Sequence, residues 1–123
     1  MKMIEGGVTA AQGFVAGGIH CGVRKNKSKP DLAMIYSEKP CAAAAVYTQN
    51  LVKGAPILVT QKNIADGAAK AVICNSGNAN TCNADGEEKA QTMCDLTAQA
   101  LGIAPQDVVV ASTGVIGQVL PIE

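Results

Sequence analysis

The chain has 123 residues, 48% of them hydrophobic, and its ten basic and ten acidic side chains sum to a net charge of zero. This length predicts one domain with a sizeable core, and the balanced charge argues against nucleic acid, an anionic membrane or a strongly charged substrate as partner. Because no apolar run approaches the roughly 20 residues of a membrane-spanning helix and no signal-like region develops at the N-terminus, we expect a cytoplasmic protein.

The first predicted element is an antiparallel hairpin. Residues 13–23 alternate so that branched side chains share one face and small residues share the other, as in an extended strand. The polar run "RKNKSKPD" carries the turn residues Pro30 and Asp31 and leads directly into the apolar run "LAMIYSE". Two extended segments joined by such a turn are typical of a hairpin.

The middle of the chain predicts three more extended segments and a brief helix. The segments are "CAAAAVYT", "KGAPILVT" and "AKAVICNS". The first is rich in alanine, which favours helix, but Pro40 and its β-branched end favour a strand. Thr60 is placed to cap a short helix over "QKNIA" that ends at Asp66 and Gly67.

The C-terminal part predicts one long helix and one buried strand. Residues 86–101 place apolar side chains on one side at helical spacing, with two acidic residues in the first turn and Gly102 after the last. The run "DVVVAST" is continuously apolar, as in a central strand buried on both faces. We therefore predict a single α+β domain over residues 1–123, a mixed sheet with packed helices.

Two polar, glycine-bearing segments follow apolar strands. The first, residues 74–86, contains "NSGNAN" and is either a self-satisfied turn or a loop that lines a substrate. In the second, residues 112–117, the Thr113 hydroxyl and a backbone N–H at Gly114 can point two donors at one spot, which would form an oxyanion hole. The alternative for this second segment is an ordinary exit from a strand through small residues.

Other kinds of site find little support in the sequence. No glycine-rich nucleotide-binding pattern follows a strand, and His20 and Cys21 are neighbours that point to opposite faces of a strand, so they do not form a base and nucleophile pair. The run "RKNKSK" could bind an anion, but a short basic loop is typically only solvated. Five cysteines without Cys-x-x-Cys spacing predict reduced thiols, no metal and no cofactor.

The motifs "VTAAQGF", "DLAMI", "YTQN", "NSGNAN" and "STGVIG" occur in this order along the chain. Together they resemble the ornithine acetyltransferases of arginine biosynthesis, also called bifunctional glutamate N-acetyltransferases, although Ala11 stands where that family usually has proline. The resemblance covers nearly the whole chain. Its two specific motifs are "NSGNAN" and "STGVIG".

The resemblance implies a precursor that cuts itself before an internal threonine, giving an N-terminal α chain and a C-terminal β chain whose first residue is the nucleophile. This sequence then is an incomplete α chain, and its partner is its own β chain in a heterotetramer of two α and two β chains. The implied substrates are N-acetylornithine and glutamate, with acetyl-CoA as a possible additional donor.

The implied reaction is a ping-pong transfer in which the threonine takes the acetyl group and then passes it to glutamate. The α-amine of an N-terminal threonine can act as the base. By the resemblance, the Thr113 hydroxyl and the Gly114 backbone N–H stabilise the oxyanion. Two alternatives stay open: a non-catalytic domain for amino-acid binding or assembly, and the same chemistry on a different acyl amino acid.

Overall fold

The computed structural model describes residues 2–122, which form four strands and two helices. The elements are β1 (Phe14–Ile19), β2 (Leu32–Ala42), α1 (Ala55–Asn63), β3 (Ala68–Asn78), α2 (Gly86–Leu101) and β4 (Val108–Val115). Short 3-10 turns at Val8–Ala10, Ile64–Asp66 and Pro105–Asp107 complete the regular structure of this part of the chain.

The four strands form one mixed sheet in the order β1, β2, β3, β4. β1 is antiparallel to β2 and β2 to β3, whereas β3 and β4 are parallel and are joined through α2, because a parallel pair needs a crossover. The predicted hairpin and the predicted α+β fold with a mixed sheet are confirmed. The parallel pair also brings the carboxyl ends of β3 and β4 to the same edge of the sheet.

The core lies between the two helices and the sheet. Alternate side chains of β3 and β4, Ala71, Ile73, Val108 and Val110, are at most 6% exposed, as expected for one buried face of a pleated sheet. They form one apolar cluster with side chains of α1 and α2, namely Ala55, Val59, Ala90, Met93, Cys94 and Ala98. The small side chains on α2 allow the helix to pack close to the sheet.

The structure confirms α2 with the bounds predicted from its spacing. Its predicted inner face is also found, since Ala90, Met93, Cys94 and Thr97 are buried. The helix ends at Gly102, whose left-handed backbone (φ 66°) forms the C-cap. Neither α1 nor α2, the two helices of the described residues, has the length and hydropathy of a membrane span.

The segment "KGAPILVT" is helical, so the predicted strand is wrong. α1 begins after Gly54, which has extended backbone angles, and it carries Pro56 in its first turn. In the first turn the missing N–H of a proline costs no helical hydrogen bond. Packing against β4 overrides the strand propensity of the apolar run. Thr60 therefore lies inside the helix rather than at its N-terminal cap.

The run "CAAAAVYT" does not form a strand of its own, so this prediction is also wrong. β2 continues through Pro40 to Ala42, and its pairing with β3 is interrupted between Tyr36 and Cys41. A proline is tolerated where a ladder is interrupted in this way. Only Cys41 and Ala42 of the run pair with β3. Residues 43–50 form no regular element, and Val46 is 99% exposed.

β4 lies at an edge of the sheet formed by residues 2–122, although its apolar run predicted a central strand. Side chains of α1 occupy its outer edge. The Thr60 hydroxyl accepts a hydrogen bond from the Val110 N–H at 3.1 Å and donates to the Val110 carbonyl at 2.9 Å. Asn63 Nδ2 donates to the Val108 carbonyl at 2.9 Å. The helix thus supplies bonds that a neighbouring strand would otherwise make.

Candidate active site

The two polar segments singled out in the sequence meet at the carboxyl ends of β3 and β4. Ser76 pairs with Thr113 and Gly77 with Gly114, and the register shifts at Asn78. Thr113 and Gly114 are exposed. The structure therefore brings the two polar segments together and leaves Thr113 and Gly114 accessible at this edge of the sheet.

Close backbone approach requires glycine at position 114. Gly114 has a φ of +133°, and an added Cβ would lie 2.5 Å from the Asn78 nitrogen and 2.7 Å from the Gly77 Cα, and closer still to the Gly77 carbonyl carbon. No side chain fits there without moving backbone. The position of the Gly114 N–H is consequently fixed by the packing of two main chains.

The Thr113 hydroxyl lies beside a shallow depression of about 180 Å³ lined partly by Asp31, Asn75 and Ser76. It donates to the Asn75 carbonyl at 3.3 Å, a long bond at an exposed residue. Rotation about the side-chain torsion would free this donor for a ligand in the depression. Thr113 and Gly114 are thus adjacent donors, one adjustable and one fixed.

The asparagines of "NSGNAN" make mostly internal hydrogen bonds. Asn78 Nδ2 donates to the Gln118 and Val119 carbonyls at 3.0 and 3.2 Å, and its Oδ1 accepts the Asn80 N–H at 2.8 Å. Asn80 is fully buried and donates to the Gly86 carbonyl at 2.8 Å. These bonds fix the loop after β3, and for Asn78, whose two amide atoms are both used, they favour the self-satisfied turn over a substrate-lining loop.

Asn75 differs from Asn78 in that one of its amide atoms has no hydrogen-bond partner in the described part of the chain. Its Nδ2 donates to the Asn78 carbonyl at 2.8 Å, while its Oδ1 is buried and has no hydrogen-bond partner among residues 2–122, as is also true of Asn80 Oδ1 and Ser112 Oγ. Asn75 and Ser112 pair across β3 and β4. Ser112, the residue before Thr113, and its partner Asn75 on β3 therefore each carry a buried polar atom that is not used in a hydrogen bond with any residue that the structure describes.

Asp31 anchors the turn that borders the site, a role that the sequence analysis did not assign to it. It is 2% exposed, and its carboxylate accepts the N–H groups of Cys21 at 2.7 Å and Arg24 at 2.8 Å. Burial acts to raise the pKa of Asp31, but these two N–H groups outweigh it and hold the pKa well below its usual range. This turn ends β1 at Ile19, earlier than the predicted Val23.

His20 also lies at this turn. Its Nδ1 lies 3.1 Å from Asp31 Oδ2 but outside hydrogen-bond geometry. The sequence signal for Asp31 was its place in the turn, directly after Pro30 and before the second strand. That position indicates a turn, but it does not reveal which backbone N–H groups the carboxylate accepts.

The sequence pattern of the ArgJ family matches residues 15–123. The chain belongs to the ArgJ family. The arginine biosynthesis bifunctional protein ArgJ of Gloeobacter violaceus is 53% identical over 99% of this chain and 30% of its own length. The protein of the same name from Symbiobacterium thermophilum is 49% identical over 100% of this chain and 31% of its own length. The chain therefore spans about a third of these ArgJ relatives.

Solved ArgJ structures have the same fold as this chain. The crystal structure of arginine biosynthesis bifunctional protein ArgJ from Bacillus halodurans matches with a TM-score of 0.90 and 47% identity, over 95% of this chain and 61% of that one. Ornithine acetyltransferase from Mycobacterium tuberculosis, in complex with ornithine, matches with a TM-score of 0.90 and 41% identity, over 94% and 63%. The resemblance stated from motifs is confirmed.

Proposed function

We propose that this chain is the N-terminal part of an acetyltransferase that moves the acetyl group of N-acetylornithine to glutamate. The observation that carries the proposal is the pairing of Gly77 with Gly114, which fixes a backbone N–H beside the Thr113 hydroxyl at an exposed strand end. Membership of the ArgJ family supports the reaction class, and so does the relative that was crystallised with ornithine.

Thr113 and Gly114 stabilise the oxyanion in this proposal. As a nucleophile attacks the acetyl carbon, the carbonyl oxygen becomes negative, and two preorganised donors are worth more there than in the ground state. The Gly114 N–H needs no reorganisation, because the contact with Gly77 already fixes it. The Thr113 hydroxyl exchanges a 3.3 Å bond to the Asn75 carbonyl for a bond to the charged oxygen.

The nucleophile is an N-terminal threonine on a β chain released by self-cleavage of the precursor. Its hydroxyl proton passes to its own α-amine while the oxygen bonds the acetyl carbon. The bond from that carbon to the ornithine nitrogen then breaks, and ornithine leaves with the proton. The glutamate amine attacks the acyl-threonine in turn, which regenerates the hydroxyl and releases N-acetylglutamate.

The remaining parts of the proposal concern assembly. Residues 1–123 are one α+β domain of an α chain that is longer than this sequence, and two α and two β chains form a cytoplasmic heterotetramer. The enzyme uses no cofactor, and acetyl-CoA serves as an additional acetyl donor. The word bifunctional in the names of the relatives supports the second acetyl donor of this proposal.

The deciding experiment combines intact-mass spectrometry with an acetyl-transfer assay on the product of the complete gene. We expect two chains, one of which begins with threonine and is heavier than this chain of 123 residues, and transfer from N-acetylornithine to glutamate. A single uncut species that is inactive towards both substrates contradicts the proposal and favours a domain for amino-acid binding or assembly. Two chains that transfer only from another acyl amino acid retain the mechanism and change the substrate.

A further inference from the structure

We propose that Arg24 binds the carboxylate of the amino-acid substrate at the rim of the site formed by Thr113 and Gly114. This inference rests on the proposed acetyl transfer. Arg24 belongs to the run "RKNKSK", whose sequence is typical of a solvated loop. In the structure, Arg24, the first residue of this run, packs against Gly77.

The side chain of Arg24 packs on the glycine pair. A Cβ added to Gly77 would lie 2.8 Å from Arg24 Cγ and 3.3 Å from Val23 Cγ1, so the stem of the arginine passes directly over Gly77. Gly77 in turn pairs with Gly114. The guanidinium carbon lies three bonds beyond Cγ. The stem that carries it therefore packs on Gly77, the residue that fixes the proposed donor Gly114.

The backbone below Arg24 is held in place. Asp31 accepts the Arg24 N–H at 2.8 Å, and the Asp31 carbonyl accepts the Ser76 N–H at 2.8 Å. Ser76 pairs with Thr113. The turn that carries Arg24 is therefore joined by hydrogen bonds to the strand end of the site, and only the guanidinium end of the arginine is free to adapt.

The positive charge of Arg24 is available to a ligand. The residue is exposed, and no carboxylate of residues 2–122 lies within 4.0 Å of its guanidinium nitrogens. Both oxygens of the Asp31 carboxylate already accept backbone N–H groups. A guanidinium fork binds a carboxylate through two parallel hydrogen bonds, and ornithine and glutamate each carry such a group on the α-carbon.

The test is calorimetric titration of the complete protein with ornithine and with ornithine amide, which lacks the negative charge. We expect Arg24→Gln to weaken ornithine binding roughly 10- to 100-fold, as for loss of a charge-assisted bidentate contact, and to leave binding of the amide unchanged. Arg24→Lys keeps the charge without the fork and should lie between. Lys27→Gln is the matched control, an exposed cation of the same turn, and should behave as wild type.

Three results would overturn the inference: unchanged ornithine affinity in Arg24→Gln, an equal loss for ornithine and its amide, or the same loss in Lys27→Gln. Ornithine alone cannot turn over, so the titration does not depend on catalysis. If the complete protein transfers no acetyl group but Arg24 still selects the carboxylate, the proposed function fails and this site stands. If acetyl transfer is normal and Arg24→Gln changes neither affinity nor KM, the proposed function stands and the carboxylate site at Arg24 fails.

Discussion

Gly77 and Gly114 face each other across β3 and β4 so closely that a Cβ on Gly114 would overlap the backbone of Gly77 and Asn78. Both have positive φ, +113° and +133°, in a region that side chains rarely adopt. Main-chain contact thus holds together two polar segments that are distant in sequence. This contact sets the geometry on which the proposed oxyanion hole depends.

Gly114→Ala should therefore abolish acetyl transfer and destabilise the protein. The strained φ and the overlap with backbone together cost roughly 3 kcal/mol or more, and any relief moves the Gly114 N–H away from its site. Transfer rate and melting temperature of the complete protein measure both effects. Gly17→Ala is the matched control, because nothing lies within 4 Å of a Cβ there and its φ is outside the left-handed region. A fully active Gly114→Ala would contradict the fixed-donor argument.

Removal of the Thr113 hydroxyl should lower turnover without lowering stability. Thr113→Val retains the shape of the side chain and loses one donor, for which we expect a decrease in kcat of roughly 100-fold. Thr113→Ser retains the donor and should keep most of the activity. The residue is exposed and its bond to Asn75 is long, so the melting temperature should not change. If Thr113→Val turns over like wild type, Thr113 has no part in catalysis.

The bond between Thr60 and Val110 predicts a stability effect far from the site. Thr60→Val leaves both the N–H and the carbonyl of Val110 without their present partner in a buried position, which should cost about 2–4 kcal/mol. Thr60→Ser keeps the hydroxyl and loses one methyl group, at about 1 kcal/mol. The urea midpoint of the complete protein distinguishes the two. Equal midpoints for both variants would mean that β4 does not depend on this hydroxyl.

Local sequence signals predicted the elements whose pattern and packing agree. α2 has helical spacing, an acidic first turn and a glycine stop, and it folds between the predicted residues. The predicted helix over "QKNIA" falls on the end of α1 and the 3-10 turn that follows it. The first part of α1 was missed because its apolar, β-branched run is typical of a strand, whereas Thr60 and Asn63 are needed to satisfy the outer edge of β4. These hydrogen bonds form only when β4 lies beside the helix, so the local sequence of α1 does not predict them.

Some features of the candidate site could likewise be predicted from local sequence, and others depend on contacts between distant segments. Thr113 and Gly114 were identified because a hydroxyl and a glycine follow a buried strand. The requirement for glycine at position 114 comes from the approach of Gly77, a contact between segments distant in sequence. Asp31 and Arg24 were overlooked as a pair because their interaction joins a backbone N–H to a side chain within a turn, and the sequence shows only polar residues there.

Asp31 predicts a loss of stability in acid. Its pKa is lower in the folded chain than its ordinary value, since the N–H groups of Arg24 and Cys21 outweigh burial and the nearby His20 adds to the effect. The folded state therefore binds this proton less readily than the unfolded state, so the stabilisation is present above the ordinary pKa of about 4 and is lost as the pH falls below it. Asp31→Asn should melt lower than wild type near neutral pH, with a gap that narrows in acid. A constant gap, or the same gap for the exposed Glu38→Gln, would contradict this assignment.

Cys94 should resist thiol reagents in the native protein. It is fully buried, and burial, with a contribution from the Asp95 charge, raises the pKa of its thiol to about 11 against the opposing hydrogen bond from Asn63. Its thiolate fraction near neutral pH is then roughly 100-fold below that of a free cysteine, and a reagent cannot reach it without local opening. We therefore expect Cys94 to react only at the rate of unfolding. In denaturant, a thiol reagent should label one more cysteine in wild type than in Cys94→Ser. Rapid native labelling at Cys94, located by peptide mass, would show that α2 opens far more readily than its packing indicates.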